Sequence, residues 1–269
     1  MKKILILGAS GFIGNTLFKE LSKFYSTFGT FYSNKILSKN SRFIFFDYKD
    51  PKMFKIIKKI KPTLIISSLR GPFIDQIKIH EYLINYINNN NSRLMFLSSS
   101  NVFDAFHHFP SYEYDKTLSE SIYGRFKIKI ENMILNLSTS KYVIVRLPMV
   151  FGKNSPRNKQ IKLLINNNNP IEVFPNTIIN INTDYKLKQQ IHYIINKKLS
   201  GIYHLGSYNL ISHFELIKLI VKKTSSIKPI YKQIFTSNNL RYLAVLSKKN
   251  KLPDHLNNSY ESILKEVYF

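Results

Sequence analysis

Apolar residues fall along this chain in two alternating patterns. Short, nearly unbroken apolar runs occur at 2–8 ("KKILILG"), 26–33, 42–48, 63–69, 93–100 ("RLMFLSSS"), 141–148 ("KYVIVRLP") and 201–206 ("GIYHLG"). Their length and their β-branched and aromatic content predict buried strands. Between them lie longer segments with apolar residues three and four apart, at 14–24, 52–61, 75–88 and 119–137. That spacing predicts helices packed by one face. Strand and helix in alternation predict an α/β fold, and right-handed crossovers make it a doubly wound parallel sheet of the Rossmann kind.

After Gly152 the alternation weakens. Residues 153–176 read as an excursion from the sheet. A helix is predicted over 212–224, opened by Ser212 with Glu215 at capping-box spacing, and a short last helix over "YESILKEVY". The expected organisation is a dinucleotide-binding domain over 1–152, joined by 180–206, and a smaller C-terminal substrate lobe formed by 153–179 and 207–269.

Composition narrows the function classes. There is no Cys among 269 residues, so disulfides and thiolate metal sites are excluded. His107 and His108 lack partners at metal-ligand spacing, and no metal site is expected. A net charge of +24 invites a nucleic-acid reading, but only seven of the 40 basic residues are Arg and the lysines are spread along the whole chain. Lys, Asn and Ile are enriched together, including "NNNN" at 88–91 and 166–169, which points to compositional bias. Neither a nucleic-acid nor a membrane partner is expected, and the cytoplasm is the expected location.

Chemistry enters at "GASGFIG" (8–14), between the first strand and the first helix. Gly8, Gly11 and Gly14 permit a tight turn, approach of backbone to a pyrophosphate, and close helix–strand contact. Ser10, Phe12 and Ile13 complete a turn whose helix N-terminus offers unpaired N–H groups to phosphates. An NAD site usually carries an acid about 20 residues later for the ribose 2′-hydroxyl. Here no acid occurs between Glu20 and Asp47, and the second strand runs out into Tyr32, Ser33, Asn34 and Lys35. Hydroxyl, amide and ammonium groups suit a 2′-phosphate, so NADP(H) is expected, with NAD(H) the alternative. Asp47 and Tyr48, ending the third strand, are expected at the adenine edge.

Tyr123 and Lys127 lie four residues apart, on one face of a helix. With 17 Tyr and 40 basic residues, such a pair arises readily by chance. Its surroundings lend it weight: the hydroxyl-rich "SSSNVFDA" (98–105) ends the fifth strand about twenty residues earlier, where ligands bind in this fold. The glycine turn, the serines and "YGRFK" in this order resemble the extended short-chain dehydrogenase/reductase family, in its dTDP-4-dehydrorhamnose reductase-like branch. "RLPMVFG" (146–152), "GIYHLG" and "LAVLSKKNKL" (243–252) extend the resemblance over nearly the whole chain.

The resemblance implies reduction of a keto group on a nucleotide-linked sugar, with Ser99, Tyr123 and Lys127 as catalytic residues. Ser99, set by the V-F-D register of residues 102–104, donates a hydrogen bond to the substrate oxygen. Tyr123 moves the proton, its phenolate favoured by the nearby Lys127 ammonium. Lys127 also holds the nicotinamide ribose. Ser67, Ser68, Leu69 and Pro148 are implied to line the cofactor, and Asn101, Val102, Phe103, Arg70 and Arg157 the substrate. The sequence departs from the pattern at Ser67–Arg70, where Asn-Ala-Ala is usual, and at Ser100–Asn101. It departs again at Phe126, where a small hydroxyl residue is common, and Gln76 falls near the helix Asn of the family. Two alternatives stand beside this reading: an epimerase or dehydratase of the same fold, and a dinucleotide-binding regulatory subunit without turnover. A homodimer is compatible with either.

Overall fold

The computed structural model describes residues 2–33, 39–47, 49, 53–105, 108–224, 228–236 and 238–266. Its central feature is a seven-stranded parallel sheet. The strands are β1 (Lys3–Leu7), β2 (Ser26–Phe31), β3 (Phe43–Phe45), β4 (Leu64–Ser67), β5 (Arg93–Ser99), β6 (Tyr142–Leu147) and, late in the chain, β11 (Gly201–His204). Their spatial order is β11-β6-β5-β4-β1-β2-β3. The order reverses between β1 and β4, which pair directly, Leu7 opposite Ser67. In such sheets the ligand crevice lies outside the carboxyl ends of the strands at this switch point. Every predicted strand is present. The third is shorter than expected, ending at Phe45.

By packing, the chain divides into two units. The first comprises Met1–Ser98, Phe126–Val145 and Ile191–Ile202. Helices α1 (Phe12–Leu21), α2 (Met53–Ile60) and α3 (Phe73–Asn88) belong to it. Its core joins Leu5, Leu7, Ile65, Leu94 and Phe96 of the strands to Ile57, Ile79, Leu83 and Ile130 of the helices. These are the apolar positions of the two sequence periods, so here pattern and packing agree.

The second unit comprises Ser99–Arg125, Arg146–Gln190 and Tyr203–Phe269. The excursion expected over 153–176 is structured. Helix α5 (Pro156–Asn166) is opened by Ser155, whose Oγ accepts from the Asn158 amide at 3.2 Å. In the chain it is preceded by the short strand β7 (Met149–Phe151) and followed by β8 (Ile171–Val173), β9 (Thr177–Ile179) and β10 (Ile181–Thr183). The following helix, α6 (Asp184–Asn196), was not read from the sequence. Ile161, Ile165, Ile171, Val173 and Ile179 share a core with Leu216, Ile217 and Ile220 of α7 (His213–Thr224) and with Ile263 of α8 (Tyr260–Glu266). Ser212 does cap α7, accepting from the Glu215 amide, while the Glu215 carboxylate pairs with Lys218.

"LAVLSKKNKL" owes its place to one buried carboxylate. Glu113 accepts from the Ser247 hydroxyl (2.7 Å) and from the amides of Lys248 and Asn250. Burial pushes its pKa up, but these donors outweigh it and hold the carboxyl below its usual range. Arg146 donates to the Glu113 carbonyl (2.9 Å) and lies over the Phe103 ring.

Candidate active site

The turn between β1 and α1 is built for close contact. Gly8 has φ +80°, a left-handed conformation that glycine adopts without steric cost. Its amide donates to Thr30 Oγ1 at 2.9 Å. The Ser10 amide reaches the Thr30 carbonyl, so β2 fixes the turn from beside it. A Cβ on Gly14 would stand 2.2 Å from the Gly8 carbonyl oxygen and 2.7 Å from Ser68 Oγ. Ser68 in turn donates to the Leu7 carbonyl. Phe12 and Ile13 are half-buried on the first turn of α1. The structure thus brings Gly8–Gly14 together with Ser67–Leu69 at the switch point. The cradle, in which backbone occupies the space of side chains, fits a dinucleotide pyrophosphate at a helix N-terminus.

Beyond β2, Tyr32 and Ser33 are exposed, and Tyr32 stacks on Phe45 at 6.1 Å. Asp47 is half-buried and accepts from the Lys49 amide. Asn34, Lys35, Tyr48 and His107 lie outside the described residues.

The three serines after β5 have different surroundings. Ser98 is buried and donates to the Glu131 carboxylate, and Ser100 is buried as well. Ser99 is half-buried, donates to Asn101 Oδ1 (2.9 Å), and accepts from the Asn101 amide. Of the three, Ser99 is the one with solvent access. Tyr123 follows on the first turn of α4 (Ile122–Ile134), 40% exposed. Asp104 sets the start of that helix: its carboxylate accepts from the Glu120 amide (2.7 Å) and the Ser121 hydroxyl. Burial raises the Asp104 pKa, but bonds from Ser121, Ser119 and the backbone hold the carboxyl below its usual range. A Cβ on Gly124 would meet the Asn101 carbonyl at 2.3 Å and Ser119 Oγ at 2.0 Å. Gly124 therefore lets the turn bearing Tyr123 lie against the segment bearing Ser99 and Asn101.

One turn later, Lys127 is 6% exposed. Its ammonium donates to the Leu97 carbonyl (3.0 Å) and lies 4.6 Å from the Phe96 ring centre. Burial, and then the like charge of Arg70 against the attraction of Glu131, brings its pKa down to about 8. On the other side of this environment is His80, fully buried, with Nδ1 2.6 Å from the Gln76 carbonyl and Nε2 2.9 Å from Ser67 Oγ. A carbonyl only accepts, so Nδ1 carries the proton and Nε2 accepts from Ser67. Burial lowers the His80 pKa to about 4, which keeps the ring neutral.

A family profile described as RmlD substrate binding domain matches residues 76–251. The chain belongs to that family. Among curated proteins, a dTDP-4-dehydrorhamnose reductase from Aggregatibacter actinomycetemcomitans is 27% identical over 165 residues, 57% of this chain. The chain spans about half the length of that relative, 53%. Of solved structures, the dTDP-4-dehydrorhamnose reductase of Yersinia enterocolitica superposes with a TM-score of 0.78 at 23% identity, covering 98% of this chain and 97% of that one. The Bacillus anthracis enzyme of the same name, in complex with NADP, gives 0.75 at 21%, covering 98% of each. The dTDP-glucose 4,6-dehydratase of Bacillus anthracis, with NAD, gives 0.79 at 15%, covering 99% and 95%. At these identities the structures share the fold.

The RmlD match spans Ser99, Tyr123, Lys127 and Arg157. Arg157 lines a cavity of about 450 Å³ in the second unit with Phe174, Pro170 and Lys232. Its guanidinium is 3.4 Å from His213 Nε2 and bonds Gln160. Two residues expected beside the substrate are buried. Val102 and Phe103 are 0% and 1% exposed, Phe103 lying face-on to Arg146. Pro148 is also buried, while Arg70 is exposed after β4. Sequence reasoning missed Thr30, His80, Glu131 and Glu113. Thr30 and His80 sit at strand-end and helix positions where a polar residue interrupts an apolar face, and that interruption was the available signal.

Proposed function

We propose that this protein is an NADP(H)-dependent reductase of a keto group on a nucleotide-linked sugar, with Ser99, Tyr123 and Lys127 carrying the reaction. Membership of the RmlD family is the observation that carries this reading. It is supported by a glycine cradle at the switch point, and by a tyrosine and a buried lysine one turn apart on α4.

Gly8–Gly14 and Ser67–Leu69 would hold the dinucleotide, with Tyr32 and Ser33 toward its 2′-phosphate and Asp47 toward the adenine. Bound there, the reduced nicotinamide supplies a hydride. Ser99 Oγ–H donates to the keto oxygen and orients it. Tyr123 gives that oxygen its phenolic proton as the carbonyl becomes an alcohol, and recovers one from solvent. Lys127 carries a positive charge beside the phenolate so formed. Asp104 and Gly124 fix Tyr123 through the start of α4. Arg157 would meet a phosphate of the nucleotide, and Arg70 is a second candidate for that contact. A dehydratase of this fold normally needs an acidic pair beside the catalytic hydroxyl, and Ser100 and Asn101 stand there instead.

The test is consumption of NADPH by the purified protein over a panel of nucleotide-linked 4-keto sugars. Tyr123→Phe is expected to lower turnover by about 10² to 10⁴, the worth of a positioned acid, with melting temperature and NADPH affinity unchanged. Near wild-type turnover in the Phe variant overturns the mechanism. Absence of turnover across the panel returns the chain to the non-catalytic alternative.

A further inference from the structure

A second cavity, of about 420 Å³, lies at the other end of the sheet in the first unit. It is bounded by Lys2 just before β1, by Thr63 before β4, by Arg93 at the start of β5, and by Val143 in β6. These are the amino ends of four adjacent strands, whereas the glycine turn follows the carboxyl end of β1. The cavity is therefore separate from the dinucleotide crevice.

Its lining has two characters. Ile4, Met95, Val143 and Ile194, all at 0–1% exposure, form an apolar floor. Lys2, Arg93 and Lys198 supply three cations, and none of the described lining residues is acidic. Lys198 and Arg93 are both close enough to act on Lys2. Burial, then Lys198 and then Arg93, lower the Lys2 pKa. Arg93 is held in place by donating to the Leu199 carbonyl, next to Lys198. Three cations lining one cavity, two of them repelling Lys2, lose repulsion when an anion is shared among them, and the floor gains from any apolar body attached to that anion. The volume falls in the range of small-molecule pockets.

We propose that this cavity binds a small organic anion, an acidic head held by Lys2, Arg93 and Lys198 with an apolar body on the Ile4–Met95–Val143–Ile194 floor. The site would couple to the opposite end of the sheet through β1 and β4, whose other ends carry the glycine turn and Ser67–Leu69.

Lys198 offers a variant that separates binding from folding. It sits just past α6 with φ +54°, a left-handed position that glycine occupies more readily. Lys198→Gly removes a cation while easing the backbone. The probe is 8-anilinonaphthalene-1-sulfonate, an apolar-bodied anion, titrated by fluorescence into protein saturated with NADPH so that the dinucleotide crevice is filled. The expected result is one saturable site, emptied by decanoate below its micelle concentration but not by equimolar inorganic phosphate. Affinity should fall about fivefold or more in Lys198→Gly, consistent with loss of one charge-assisted contact, with no loss of melting temperature. Ser140→Trp, on the exposed rim, should block the site and place the chain's one Trp there as a second reporter. No saturable binding, affinity unchanged in both variants, or displacement by phosphate alone overturns the proposal.

Discussion

At the scale of single residues, burial decides what each group can do. Lys127, buried against Phe96 and repelled by Arg70, has its pKa brought down to about 8, so its ammonium is lost just above neutrality. If the ammonium is the working form, kcat/KM should fall as pH rises through about 8, because this ratio reports the free enzyme. Arg70→Gln removes a like charge and should move that limb to higher pH, by a small amount since Arg70 is exposed and screened. A pH–rate series on both proteins checks it, and a limb that stays or moves down contradicts it. The buried imidazoles act on the acid side. His80 and His213 are held to about 4 and His204 to about 3, all chiefly by burial, against 6.5 for an exposed ring. Between those values the unfolded chain binds more protons than the folded one, so stability falls as pH drops below 6.5. For His80 alone the full effect is on the order of 3 kcal/mol. Urea midpoints from pH 7 to 4.5 should fall steeply, and less steeply in His80→Gln.

At the scale of elements, two glycines hold the proposed chemistry in different ways, and one methyl group at each distinguishes them. Gly14→Ala drives a Cβ into the Gly8 carbonyl, so the turn must open. Overpacking of about 1 to 3 kcal/mol and weaker NADPH binding are expected. Gly124→Ala drives a Cβ into the Asn101 carbonyl and Ser119, shifting the Tyr123 turn. Turnover should drop there while NADPH affinity holds, and calorimetric titration beside steady-state kinetics reads both. The turn at Gly14 was legible in the sequence because a glycine in strand–turn–helix context has few other uses, whereas Gly124, inside α4, was read only as part of "YGRFK". The strands were legible too, since β4 and β6 are buried along their whole length and so read as continuous apolar runs. Helices α5 and α6 were not. α5 carries Ile161, Leu164 and Ile165 at helical spacing, but it ends in the asparagine run 166–169, whose polarity reads as loop. The roles of Val102 and Phe103 were also hidden. Of the V-F-D residues, Asp104 accepts from the Glu120 amide ahead of α4, while the two apolar members fill the core because the 3₁₀ turn over Ser100–Phe103 points them inward.

At the scale of the whole molecule, the excess of charge is the least explained feature of the chain. A net +24 on 269 residues is repulsive in any compact state, and 16 acids cannot neutralise 40 bases. The described ion pairs Lys218–Glu215 and Lys232–Glu172 are exposed and Lys23–Glu20 has an exposed lysine, so all are of a kind worth at most about 1 kcal/mol each. These pairs leave most of the positive charge unneutralised, and its repulsion acts over the Debye length, about 30 Å at 0.01 M salt and about 8 Å at 0.15 M. The melting temperature should rise by a few degrees, roughly 2–4 °C for each kcal/mol of repulsion removed, between those two salt concentrations. The shape of the curve identifies the cause. Screening saturates once the Debye length is shorter than the spacing of surface lysines, so the rise in sodium chloride should flatten above about 0.15 M. Strengthened apolar burial by excluded salts would instead keep climbing. A flat or falling curve at low salt would mean that the lysines stand far enough apart for water to separate them, and that the composition costs the fold nothing.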